Sequence, residues 1–105
     1  MAPDESMLHL AASAGEAGVV LALIAGGADP NVPGLNGRRP VHRAARHGHV
    51  DVVNALCRSN AALDVADTWG RTALHYAAKV DQSEAIKALL ELGAGRLAFS
   101  TPSRI

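Results

Sequence analysis

Three histidines, His9, His42 and His75, stand 33 residues apart, and His47, His49 and Cys57 follow closely on the second of them. Imidazoles and thiols are common zinc ligands and also form nucleophile–base pairs, so metal binding or covalent catalysis is the first chemistry to test. Neither reading closes. With one periodic histidine on each helical unit, neighbouring imidazoles stand about one helix diameter apart, roughly 10 Å. They cannot share an ion whose bonds are about 2 Å long. His47-Gly48-His49 with Cys57 offers too few ligands for zinc and no third group to orient a nucleophile. Gly26-Gly27 ends a helical pattern, where a phosphate-binding loop would precede one. The sequence therefore predicts no catalytic residue, no cofactor and no metal site.

What repeats with the histidines is the framework that carries them. Each is followed at one offset by an alanine pair: Ala11-Ala12, Ala44-Ala45 and Ala77-Ala78. In the same register Gly37 maps onto Gly70, Arg38 onto Arg71, and Leu23 onto Leu56 and Leu89. A fixed period of this size indicates stacked supersecondary units and not one irregular globule. Cys57 falls in register with Ile24 and Leu90, core positions of a second helix, which makes it a small buried hydrophobe.

The unit is clearest from Asp67 to Gly95. Asp67-Thr68-Trp69-Gly70 is turn chemistry, and Thr72 is placed to cap a short helix with Leu74, Ala77 and Ala78 on one face. Asp81 stands where the earlier copies have Gly15 and Gly48. A second helix is predicted over about 83–92, with Ile86, Leu89 and Leu90 inward and Gly93 as its stop. The middle copy predicts a turn over 34–37, helices over 40–46 and 50–58, and Asn60 in place of a capping glycine. The first copy predicts helices over about 6–13 and 17–25. The boundaries are then an N-terminal tail at 1–5, repeats at about 6–33, 34–66 and 67–95, and either a C-terminal cap at 96–105, with Leu97 and Phe99 covering the last helix pair, or a tail.

Composition narrows the class further. The chain has 105 residues but only one Trp, one Tyr and one Phe, so its core must be built from Ala, Leu, Val and Ile. No apolar run reaches the roughly 18 residues needed to cross a bilayer, and no leader pattern opens the sequence. A lone cysteine fits a reducing compartment, and the expected location is cytoplasmic or nuclear. Ten basic and ten acidic residues cancel, which with so few aromatics argues against nucleic acid. The charge is nevertheless clustered: from Arg38 to His49 there are four Arg and three His with no carboxylate.

Thr72-Ala73-Leu74-His75-Tyr76-Ala77-Ala78, Arg39-Pro40-Val41-His42-Arg43-Ala44-Ala45 and Gly27-Ala28-Asp29-Pro30-Asn31-Val32 resemble the ankyrin repeat. The resemblance spans roughly residues 6–95. It implies an all-α solenoid of three helix-turn-helix units with short β-hairpin turns. It also implies a concave face of hairpin tips and first helices that binds another protein as a monomeric, non-catalytic adaptor or competitive inhibitor. The periodic histidines become structural, bonding backbone and Thr across units. On that face fall Asn36, Arg38 and Trp69, Arg71 on the hairpins and Arg46, His47, Tyr76 and Lys79 on the first helices. They compose a basic groove for an acidic partner segment with Trp69 as its apolar anchor. A narrower resemblance, carried by 39–46 and 63–71, is to the ankyrin-type inhibitors of cyclin-dependent kinases. Those proteins have four or more units and an acidic residue where this chain has Arg43.

Overall fold

The computed structural model describes residues 6–80 and 82–93. Six α-helices follow one another: α1 (Met7–Ala14), α2 (Ala17–Ala25), α3 (Pro40–Arg46), α4 (Val50–Arg58), α5 (Ala73–Lys79) and α6 (Ser83–Glu91). Each pair packs on itself, α1 with α2, α3 with α4 and α5 with α6. The first helices α1, α3 and α5 stack in one row and the second helices in another, so among the described residues the main packing of each unit is on its neighbours. The expected N-terminal tail at 1–5, the loop residue Asp81 and the expected cap or tail at 96–105 lie outside the described residues.

Small side chains set the spacing. Leu8, Ala11 and Ala12 on α1, and Val41, Ala44 and Ala45 on α3, are buried at i, i+3 and i+4. Alanine at two of those three places lets one helix lie close against the next. Val20, Val52, Val53, Leu56 and Leu89 fill the space between the rows and are fully buried. The first and third units also have hydroxyl caps on their first helices, whereas Arg39 heads α3 without a side-chain capping bond. Ser6 Oγ accepts from the His9 amide at 3.2 Å, and Thr72 Oγ1 accepts from the His75 amide at 3.4 Å.

The periodic histidines pin a first helix to the chain that follows it. His42 Nδ1 accepts from the Arg39 amide at 2.8 Å and Nε2 donates to the Val65 carbonyl at 2.9 Å. His9 does the same, with Nε2 donating to the Arg38 carbonyl at 2.8 Å. These bonds need a neutral ring, and burial accordingly holds the His42 pKa below its ordinary 6.5. The hydroxyl partners, Ser6 for His9 and Thr72 for His75, belong to the ring's own unit; of the two carbonyl bonds, that of His9 to Arg38 crosses between units and that of His42 to Val65 closes within its own.

A second tie repeats in the same register. His49 Nε2 donates to the Ser13 carbonyl at 2.9 Å, and Gln82 Nε2 donates to the Arg46 carbonyl at 3.4 Å. Each relieves an orphan carbonyl at the end of the preceding unit's first helix. Gly15 sits under this contact at φ 76, where an added Cβ would lie 2.8 Å from His49 Nδ1.

Three expectations are corrected. The hairpins are tight turns, closed at the base by a backbone bond (Gly34 to Arg38 at 2.8 Å, Asp67 to Arg71 at 2.9 Å) and at the tip by a second (Gly37 to Gly34 at 3.0 Å, Gly70 to Asp67 at 2.9 Å), and no strand forms among the described residues. Leu90 is 46 % exposed and Ala78 is exposed, while Leu74 is half-buried. The inner faces of α5 and α6 are instead Ala73, Tyr76 and Ala77, and Ala85, Ala88 and Leu89. Ile24 and Cys57, in register with Leu90, are half-buried, and the two earlier units are each overlaid by a following one.

Candidate functional site

The hairpins and first helices bring most of the expected residues together. The first hairpin turns through Asn36 at φ 60, and its carbonyl accepts from the Thr68 amide of the second hairpin at 2.9 Å. That bond fixes the two turns side by side and sets Arg38 beside Arg71. Arg38, Arg46, Arg71, Tyr76, Lys79 and Val80 line one cavity of about 220 Å³ between the hairpins and the C-terminal ends of α3 and α5.

A buried carboxylate organises its floor. Asp67 stands where the earlier hairpin has Gly34, and its Oδ1 accepts from the Trp69 and Arg71 amides at 2.9 Å each. The Tyr76 hydroxyl donates to Asp67 Oδ2, which Arg71 Nε also reaches at 3.4 Å. Arg38 Nε completes the chain by donating to the Tyr76 hydroxyl at 3.1 Å. Burial alone would raise the pKa of Asp67. The hydrogen bonds from Tyr76, Arg71 and Trp69 and the charge of Arg71 outweigh it and bring the carboxyl down to about 2.

Trp69 stays at the surface, 55 % exposed. The Arg71 guanidinium lies 4.5 Å from its ring centroid and that of Arg38 lies 5.6 Å away. The indole is thus held over two cations while it remains open to solvent. Tyr76 is corrected: expected on the groove surface, it is buried beneath it, because its hydroxyl serves Asp67 and Arg38. Asn36 and His47 flank the cavity without lining it. His47 is exposed, and its ring stacks on His49 at 6.0 Å. Partial burial first, and then the positive charge of Arg46, His49 and Arg43, lower its pKa.

Charge is sorted by row. No Asp or Glu occurs on α1, α3 or α5, whereas Asp51, Glu84 and Glu91 lie on α4 and α6. Sequence reasoning missed Asp67 and Val80. Asp67 could have been found by its place at the head of the turn that leads into Tyr76's own helix, but its bond to Tyr76 crosses nine residues and is not periodic. Among the described residues no three His, Cys, Asp or Glu gather as metal ligands, and no helix is long and apolar enough to cross a membrane.

A repeated helix pair, stacked in two rows and joined across units by His9, His49 and Gln82, defines a helical-repeat binding scaffold. A family model described as ankyrin repeats, in three copies, matches residues 8–96, and the chain belongs to the ankyrin-repeat family. Ankyrin repeats are protein–protein interaction modules and typically non-catalytic. None of the curated proteins compared matches the chain.

Proposed function

We propose that this domain takes an acidic segment of a partner protein onto the basic face between its hairpins and first helices. It acts there as an adaptor or competitive inhibitor, as a monomer, in the cytoplasm or nucleus. The observation that supports this reading is the carboxylate-free row of first helices. There Arg38, Arg46, Arg71 and Lys79 share one cavity beside the exposed Trp69. Trp69 supplies the apolar anchor; truncating such a residue typically costs about 2 kcal/mol or more of binding. The one buried carboxylate nearby is consumed by its own network, so the cations remain available to a partner.

Kinase inhibition gains no structural support. The position that is acidic in those inhibitors is Arg43, whose Nη1 donates to Ser13 Oγ of the first unit at 3.0 Å. The test is affinity enrichment from lysate with the wild type and a Trp69→Ala/Arg46→Glu variant, after circular dichroism shows that both are folded. Partners retained by the wild type and lost by the variant support the groove. The same proteins captured by both place binding on another face. Once a partner is in hand, Arg46→Glu is expected to flatten the salt dependence of binding, and an unchanged slope sinks the groove.

A further inference from the structure

We propose that the cavity lined by Arg38, Arg46, Arg71, Tyr76, Lys79 and Val80 is a seat for a phosphoryl group carried on the partner's side chain, so that binding is switched by phosphorylation. The proposal rests on the protein-binding reading above and specifies what its central contact recognises.

Four cationic side chains line this one cavity, and no carboxylate lines it. Asp67, beneath it, is spent: Oδ1 takes two amides and Oδ2 takes the Tyr76 hydroxyl and Arg71 Nε. Those bonds engage Arg71 and Arg38 only through Nε, and the terminal nitrogens of both have no ion-pair partner among the described residues. Arg46 and Lys79 are exposed and form no ion pair among the described residues. Three guanidinium forks and an ammonium at one point offer more donors than a carboxylate can accept. They also repel one another, which a single negative charge offsets only in part. A phosphorylated side chain brings nearly two charges and three strong acceptor oxygens to one place, and planar guanidinium forks match it well. A run of aspartates would suit cations strung along the groove, whereas here they converge. Trp69, stacked against Arg71 and Arg38, then receives the residue next to the phosphorylated one.

Trp69 is also the only tryptophan, so its fluorescence reports on the arginines that touch it. The test titrates the full chain at constant ionic strength with inorganic phosphate, O-phosphoserine and acetate. A glutamate-rich peptide follows, with serine, phosphoserine or glutamate at its centre. Phosphate and O-phosphoserine are expected to saturate while acetate does not. The phosphoserine peptide is expected to bind at least about tenfold tighter than the glutamate peptide at neutral pH, an advantage that shrinks as the dianion takes up a proton near pH 6. An Arg46→Gln/Lys79→Gln variant, which loses two exposed side chains and no ion pair, is expected to melt as the wild type and to lose that preference.

Equal affinity for the glutamate and phosphoserine peptides overturns the phosphoryl seat and leaves the acidic-segment reading standing. So does a captured partner that is retained after phosphatase treatment. Saturation unaltered in the double variant overturns the assignment of the site. Cosedimentation with vesicles containing a phosphoinositide, without phosphopeptide binding, overturns the protein source in favour of a membrane headgroup.

Discussion

Removing one oxygen from Tyr76 tests the network that shapes the groove. Its hydroxyl donates to Asp67 Oδ2 and accepts from Arg38 Nε. Tyr76→Phe leaves the packing in place, withdraws a bond to a charged group and strands a guanidinium nitrogen. Bonds to charged groups are worth about 1.5–3 kcal/mol. Lowering the carboxyl from 3.8 to about 2 corresponds to roughly 2 kcal/mol at neutral pH, the net of burial against Tyr76, the Arg71 and Trp69 amides and the Arg71 charge together. Tyr76 is the largest favourable cause of that lowering, so the variant is expected to lose about 2 kcal/mol, or about 10 °C of melting temperature in a domain of this size.

The sign of the pH dependence sharpens the test. A carboxylate with a lowered pKa in the fold contributes stability that is complete above its ordinary 3.8 and is lost as the pH falls towards 2. Once the carboxyl is protonated the bond is neutral and worth about 1 kcal/mol, so the deficit of the variant is expected to shrink. Urea unfolding of both proteins, followed by Trp69 fluorescence and by helical circular dichroism from pH 7 down to pH 3, measures this. A loss under about 0.5 kcal/mol at pH 7, within the range of an ordinary surface substitution, refutes the reasoning. So does a loss that stays the same across the acid range.

Other perturbations probe the scaffold. Leu56→Ala, at a fully buried position, is expected to cost about 2–5 kcal/mol by urea denaturation, and half-buried Leu74→Ala clearly less. Equal losses would contradict the burial assigned to them. Gly15→Ala forces a Cβ into the left-handed region and against the His49 ring, and a cost of about 1–3 kcal/mol is expected in the same assay. Because burial lowers the pKa of His42, the unfolded chain takes up a proton below 6.5 before the folded one does. Stability is therefore expected to fall as the pH drops below 6.5, and by less in His42→Gln. Identical pH profiles for the two proteins would show that the ring is not held neutral.

The period made the stack legible, because each unit repeats the same apolar, glycine and histidine positions. The helices of the middle unit, Pro40–Arg46 and Val50–Arg58, begin and end where the sequence predicts, and Asn60 takes the positive φ of a capping glycine. Burial at the last unit was not legible. Leu90 and Cys57 occupy the same place in the repeat, yet their exposure depends on what lies against them and not on their own helix. The cavity was half legible: the register placed Arg38 and Arg71 side by side. The bond that draws Tyr76 under the surface needs Asp67, which has no periodic counterpart.

The cross-unit ties have a consequence for how such a chain can change in length. His49 and Gln82, one period apart, close on Ser13 and Arg46, which also stand one period apart at the end of the first helix before, and His9 closes on the Arg38 carbonyl of the unit that follows. Duplicating residues 34–66 in tandem would present every such donor with a matching acceptor and lengthen the stack by one helix-packing distance, about 10 Å. An insertion of any other length inside a unit would leave one of these bonds open. Gains and losses of sequence in this molecule are therefore quantised: whole steps of 33 residues change its reach without changing its grammar.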